Sequence, residues 1–544
     1  PPSAGSFAFS SVTDFVNDRP FRQTMTVDPA TGQPIGNPRF FTLYESGLFV
    51  QDDWKVNARL NVCFGVRHDY FGTVRERNGL LSSIIFGPGE SFNEQIANAS
   101  LGHVSQLYKP ERLNFSPRIG LAYDPFGDGK TSIRAGFSLA FQPHHGQSIS
   151  GARALPPDAV QVVSSPRFFI GTRILYAIPV PFNPEFARGL NAQGGVNPLP
   201  GETVRIRPTG FVVNPTIKTQ YSENFFVNVQ KQLGKGWIAE VGYTGTLGVN
   251  LERIDDVNRF TGDLLDGRED RLNPNFGTLL FVTNGVNSSY HGFTTELRRS
   301  FADNFMVQAN YRFSKWLDTS SDTSTGQFQD NSEPGKGAQE ISCLRCERAP
   351  SLFDIPHRFS ASLIFTPAFF RGTANRWLRR GFNGWEFSTI LTAQSGRPFS
   401  VWNGASSSAG GDFNRDAGGG AVGGGFYDRP NAPAPGVVPS SFSQQDFLSG
   451  LFPANAFPIP VPGQNGTLGR NTFRGPRYVT LDLALGRNFT IKESMKVQLR
   501  LEAFNALNNV NLFLPNADMS IGNFGKSTQA FEPRNLQGSV RFTF

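Results

Sequence analysis

The chain has 544 residues, of which 17% are charged, 38% hydrophobic and 13% aromatic, with 52 Phe. The charged fraction lies below the roughly 25% usual in soluble domains, and no stretch approaches the ~20 consecutive apolar residues that a membrane-spanning helix needs. The formal net charge of +7 is modest and its basic residues are scattered, which argues against a nucleic-acid-binding stripe.

Helical periodicity is nearly absent, whereas strict alternation recurs along the chain. In chain order, strands are expected near Gly47–Val56, Leu60–Gly72, Leu113–Asp124, Thr131–Gln142, Thr219–Leu233 and Trp237–Leu247. They continue near Tyr290–Ser300, Phe305–Leu317, His357–Thr366, Trp385–Ser395, Arg477–Asn488, Lys496–Ala506 and Asn535–Phe544. In the second strand Leu60, Val62, Phe64 and Val66 alternate with Asn61, Cys63, Gly65 and Arg67. Near the end Val497, Leu499, Leu501 and Ala503 alternate with Gln498, Arg500, Glu502 and Phe504. The adjacent Asp52 and Asp53 disturb the first strand and suggest a bulge.

Short turns and long connections alternate. Asn57–Arg59, Pro125–Lys130, Gly234–Gly236, Phe301–Asn304 and Phe489–Met495 are short, whereas Pro143–Lys218 and Gly396–Pro476 are long and rich in Gly, Pro or Asn. Pro367–Gly384 is too long for this scheme. Brief periplasmic turns and large external loops characterise outer-membrane barrels, the one arrangement besides helices that satisfies every backbone group in lipid. The fold class is therefore all-β, an antiparallel transmembrane outer-membrane β-barrel. Arg67, Arg134, Arg312, Asp482, Arg500 and Glu502 fall opposite the apolar rows and are assigned to a wet lumen, because Lys or Arg facing mid-membrane lipid costs ~2–4 kcal/mol. Val540, Phe542 and the terminal Phe544 lie on the apolar face of the last strand, which ends on the periplasmic side and reads as an assembly signal. A soluble β-sandwich also alternates, but its apolar residues meet across a finite core.

Little in the chain suggests catalysis, and no cofactor is expected. Cys343 and Cys346 lack the second pair that a structural zinc site needs and read as a local loop disulfide, with Cys63 left over. His144 and His145 lack a third ligand; Asp412–Asp416 lacks the Gly and Glu of a calcium loop. Specificity is expected on the loops. Phe168, Phe169, Tyr176, Trp402, Phe413, Phe426 and Tyr427 are the aromatics there, and Trp402, Phe413 and Tyr427 are the candidate ligand contacts.

Several segments resemble TonB-dependent receptors of the Oar-like group, which carry a carboxypeptidase-regulatory-like N-terminal domain. They include Leu48–Tyr70, Asn114–Phe126, Gly127–Phe141, Glu240–Gly248, Ser289–Lys315, Asp354–Phe359, Gly384–Phe399, Gly469–Pro476 and Val497–Asn511. The resemblance implies a barrel of about 22 strands around a plug, so with the 13 expected here about 9 are missing. The opening Pro1-Pro2-Ser3-Ala4, without initiator Met or leader, also suggests a fragment or processed form. On this reading residues 1–39 are an external, loop-like lead-in and residues 40–544 the C-terminal part of the barrel, possibly open, with the plug absent. The implied partners are outer-membrane lipid and lipopolysaccharide, the barrel-assembly machinery, the energy-coupling protein TonB acting through the plug, and a siderophore, glycan or peptide ligand. The implied function is import across the outer membrane; an adhesin or structural surface barrel is the alternative.

Overall fold

The structure, a computed structural model, describes residues 6–35, 39–144, 157–164, 189–198, 207–208, 210–234, 236–266, 270–302, 304–321, 339, 343–367, 372–373, 375, 377–378, 381, 383–404, 412–415, 428–453, 455–492 and 495–544. Thirteen long strands form one continuous antiparallel path: β1 (Glu45–Lys55), β2 (Leu60–Phe71), β3 (Asn114–Tyr123), β4 (Thr131–Gln142), β5 (Gln220–Gly234), β6 (Trp237–Asp256), β7 (Leu279–Ala302), β8 (Phe305–Asp318), β9 (His357–Phe365), β10 (Trp385–Gln394), β11 (Tyr478–Lys492), β12 (Met495–Phe504) and β13 (Asn535–Thr543). Each pairs with its sequence neighbours, and the path runs open from β1 to β13. Two short strands attach at the side: Gly210–Val213 runs parallel to β7, and Ala349–Pro350 is antiparallel to β8. Every second connection is long, so one rim carries the loops and the other the turns. β9 and β10 pair directly despite the length of residues 366–384.

The register carries the alternation across the sheet. One apolar row runs Phe64–Ile119–Phe137–Phe225, and another runs Ala135–Val227–Tyr243–Phe293–Phe313. These rows are not covered by protein: Val227 is 49% exposed, Val241 45%, Phe293 42% and Leu501 56%. On β5 the nearest charges on this face are Glu223 and Lys231, eight residues apart, or about 26 Å along a strand, comparable with the roughly 25 Å apolar band of an outer-membrane barrel. Trp237 and Trp385 begin strands at the turn rim, and within the band Tyr243 bonds His291 and Tyr311 bonds His357, each at 2.8 Å. Among the described residues no helix is long and apolar enough to cross a membrane.

Dry cores exist, but they lie in the loops. The largest gathers Leu81, Ile84, Ile96, Val212, Phe276 and Leu279. It joins the hairpin Ser82–Ile85/Ser100–His103 and the helix Phe92–Ala97, whose N-terminus is closed by a Ser91–Glu94 capping box, to the upper ends of β6 and β7. These ends extend beyond the expected Trp237–Leu247 and Tyr290–Ser300. The register shifts between Gly248 and Leu251, with Asn250 at φ 54°, so the period of two breaks where β6 leaves the band and enters the loop core. A second core packs Phe399, Phe447, Phe457 and Phe473, with the Phe452 ring 5.0 Å from Phe457 and 5.2 Å from Phe524.

Two local expectations are revised. β1 pairs with β2 without a register shift, so Asp52 and Asp53 form no bulge; both side chains are exposed on this edge strand. Within residues 1–39 the described residues lie outside the large sheet but are not irregular throughout. Ser6–Ala8 and Arg22–Val27 form a small sheet with Val160–Ser164, and a helix spans Val12–Val16.

Asp124 organises the turn between β3 and β4. Its carboxylate accepts the backbone amides of Gly129 (2.8 Å), Gly127 (2.8 Å) and Phe126 (3.2 Å). These bonds, the Gly129 amide foremost, hold its carboxyl below its ordinary value. The stabilisation is therefore present above the unfolded-state value and lost as pH falls through the folded one. The melting-temperature difference between the parent chain and Asp124→Ala should be largest near neutrality and vanish in acid. A second expectation tests the two faces: Val227→Lys should cost about 2–4 kcal/mol of folding stability in bilayers, whereas Thr244→Lys on the opposite face should cost little in the same assay.

Candidate functional site

The loops at the long-loop rim are tied to the strands by arginines, of which Arg470 and Arg429 are buried. Arg470, fully buried, donates to the Asp318 carboxylate at the top of β8, to the Asp318 carbonyl (2.8 Å), to Ser321 Oγ (3.0 Å) and to the Glu347 carbonyl (3.3 Å). Arg429 donates to Glu347 Oε1 (2.8 Å) and to the Leu468 carbonyl (2.9 Å). Arg474 donates to the Asp354 carboxylate and carbonyl ahead of β9. Cys343 and Cys346 are disulfide-bonded across the turn Leu344–Glu347 that presents Glu347. Removing one partner of a buried pair leaves an uncompensated charge. Arg470→Met should therefore cost about 3–5 kcal/mol locally, seen as faster proteolysis of the loop between β10 and β11 with the far-ultraviolet circular dichroism of the sheet unchanged.

Beside this clamp lies a cleft of about 430 Å³ lined by Leu352, Phe399, Trp402, Phe513, Asn516 and Gln529, among others. The Trp402 backbone is pinned by bonds to Ala517 and Met519. Asp518, also on the wall, accepts the amides of Gly404 (2.9 Å) and Ser520 (2.8 Å) and so acts as a support. The cleft presents aromatic rings next to side-chain amides, which suits a ligand with an apolar face and a polar edge.

The expected contacts fare differently. Trp402 is half-buried and lines the cleft. Phe413 is 3% exposed and so is withdrawn from ligand; its amide and that of Asn414 bond Asp428, which folds the loop inward. Tyr427, like Phe168, Phe169, Tyr176, Phe426 and His145, lies outside the described residues. His144 bonds the buried Glu252 beneath the Tyr108 ring.

Arg67, Arg134, Arg312, Asp482, Arg500 and Glu502 all fall on the polar face by register but do not converge on one point. Arg67 pairs with Asp69 at 2.8 Å and Arg500 with Glu502 at 3.0 Å, while Asp482 accepts the Asn505 amide at 2.8 Å. Val540 and Phe542 lie on the apolar face opposite Leu499 and Val497, 58% and 67% exposed, and Phe544 follows at 94%. The sequence reading missed the arginine clamp. Its signal was Gly469–Pro476, whose two arginines were read only as part of a resemblance.

A family model described as an outer membrane beta barrel domain matches residues 1–537. The chain belongs to that family. Membership places this barrel chain in the outer membrane of a Gram-negative-type bacterium, with its apolar rows in lipid. The TonB-dependent transporter Oar of Myxococcus xanthus is 25% identical over 292 residues, 49% of this chain and 23% of that protein. Two solved structures are also similar. The ferripyoverdine receptor of the outer membrane of Pseudomonas aeruginosa is 11% identical with a TM-score of 0.42, covering 93% of this chain and 39% of that one. The outer membrane transporter YddB of Escherichia coli is 11% identical with a TM-score of 0.42, covering 92% and 54%. The chain spans less than a quarter of the length of Oar and about half or less of the two structures.

Proposed function

We propose that this barrel chain is part of a TonB-dependent transporter that imports a ligand captured at the loop rim. The observation that carries the reading is the polar face, which runs the length of the strands beneath a folded loop cap containing an aromatic cleft. The likeness to Oar, named as a TonB-dependent transporter, supplies the class of mechanism. In this reading the polar face lines a wet lumen, and the charges of Arg67, Arg134, Arg312, Asp482, Arg500 and Glu502 keep it hydrated. A plug pulled by TonB opens the path, and the chain itself makes and breaks no bond. Val540, Phe542 and Phe544 serve recognition by the barrel-assembly machinery, and the outer loops meet lipopolysaccharide.

The Trp402 ring, with Phe399 and Phe513 near it and Asn516 and Gln529 beside them, favours a sugar or peptide surface, where an aromatic face and side-chain amides act together. Uptake of candidate siderophores, oligosaccharides and peptides by cells carrying the full-length gene should require TonB. Trp402→Ala should weaken capture of the accepted ligand about ten-fold, or ~1.4 kcal/mol. Uptake that persists undiminished without TonB would replace this reading with a surface barrel that does not use energy coupling.

A further inference from the structure

Three arginines on the polar face have an acid beside them. Arg67 has Asp69 at 2.8 Å, Arg298 has Glu296 at 3.8 Å, and Arg500 has Glu502 at 3.0 Å and Glu386 at 3.5 Å. Arg312 on β8 and Arg358 on β9 have no ion pair among the described residues. They are direct register partners, so both side chains leave the same face of adjacent strands. Residues opposed in this way hold their Cβ atoms about 4.5–5.5 Å apart, and like charges there destabilise the sheet.

The neighbouring carboxylates among the described residues are already engaged. Asp318, farther along β8, takes Arg470; Asp354, ahead of β9, takes Arg474; Glu296, diagonal on β7, takes Arg298. The row through the two arginines runs Thr294–Arg312–Arg358–Gln394–Tyr478 and contains no acid. Arg312 Nε is buried without a hydrogen-bond partner. The pair sits near the loop rim, where β9 begins at His357.

We propose that Arg312 and Arg358 form an oxyanion-binding site on the inner face, which takes a carboxylate or phosphate group of the ligand below the loop cap. Two guanidinium forks side by side offer parallel N–H donors in the geometry such groups accept. A bound anion would also relieve the like-charge contact. The proposal deepens the transport reading and rests on it for a wet lumen.

The test uses the full chain in detergent micelles at low ionic strength, titrated with inorganic phosphate and, separately, with succinate. At least one anion should bind the parent chain and raise its Tm, and the one that does assigns the group recognised. Arg312→Gln and Arg358→Gln should each weaken binding at least ten-fold and raise the ligand-free Tm, because the repulsion is gone. Arg358→Lys, which keeps the charge but loses the fork, should fall between. Arg134→Gln, on the same face but four strands away along the sheet, should bind as the parent does. Failure of both anions to bind, equal weakening in Arg134→Gln, or undiminished binding in Arg358→Gln would each overturn the site. The measurement is made at equilibrium without TonB, so its failure leaves the uptake experiment to decide the transport reading independently.

Discussion

The structure depends on one constraint: in hydrocarbon, every backbone N–H and C=O has to find a partner within the protein. A sheet meets it by pairing neighbouring strands, and the pairing then fixes where side chains can go. With a period of two, each strand offers one face to lipid and the other to water. A slip of one residue would exchange them. Uninterrupted register partners along β2 to β5 carry this choice across the sheet, so the apolar rows stay aligned from strand to strand. The exposure of Val227, Phe293 and Leu501 would be a defect in a soluble protein. Here it is the condition for residing in a bilayer.

Because hydrocarbon covers the strands, the loops have to obtain their order elsewhere. They do so as small soluble proteins do, with dry cores and buried ion pairs. The Phe-rich core around Phe457 and Phe473 and the aliphatic core around Ile96 and Leu279 each bring together segments distant in sequence. Arg470 and Arg474 then fasten the loop between β10 and β11 to the tops of β8 and β9. Desolvating such charges is expensive, and the return is geometric specificity more than net stability. A cleft beside these fixed points keeps its shape without borrowing rigidity from the membrane.

The strands were legible because alternation is a local property, visible in any eight residues. All thirteen were found, eleven of them with ends that differ by a few residues. The extensions of β6 and β7 were hidden because the period breaks at Asn250, and because residues such as Glu252 and Asp255 look solvated until loop residues bury them. Phe413 shows the same difficulty on a smaller scale. An aromatic in a glycine-rich loop reads as exposed, and only the long-range bonds to Asp428 reveal that it turns inward. The arginine clamp was illegible for that reason too, since Arg470 and Asp318 are 152 residues apart.

Arginine appears here in three settings, and the setting decides its role. In the loops Arg470 is buried against a carboxylate and acts as a fastener. On the apolar face near the turn rim, Arg299 lies 3.9 Å from the Phe305 ring centroid, and Arg487 lies 4.8 Å from those of Trp385 and Phe489. Aromatic faces stabilise a cation where the bilayer gives way to water, an arrangement that deeper in the hydrocarbon would cost several kcal/mol. On the polar face solvent screens the charge, and an acid is not needed for folding. An arginine opposite another arginine therefore contributes nothing to the scaffold that a neutral side chain would not. What it adds is a field directed into the space beneath the loops, where the proposed anion site lies.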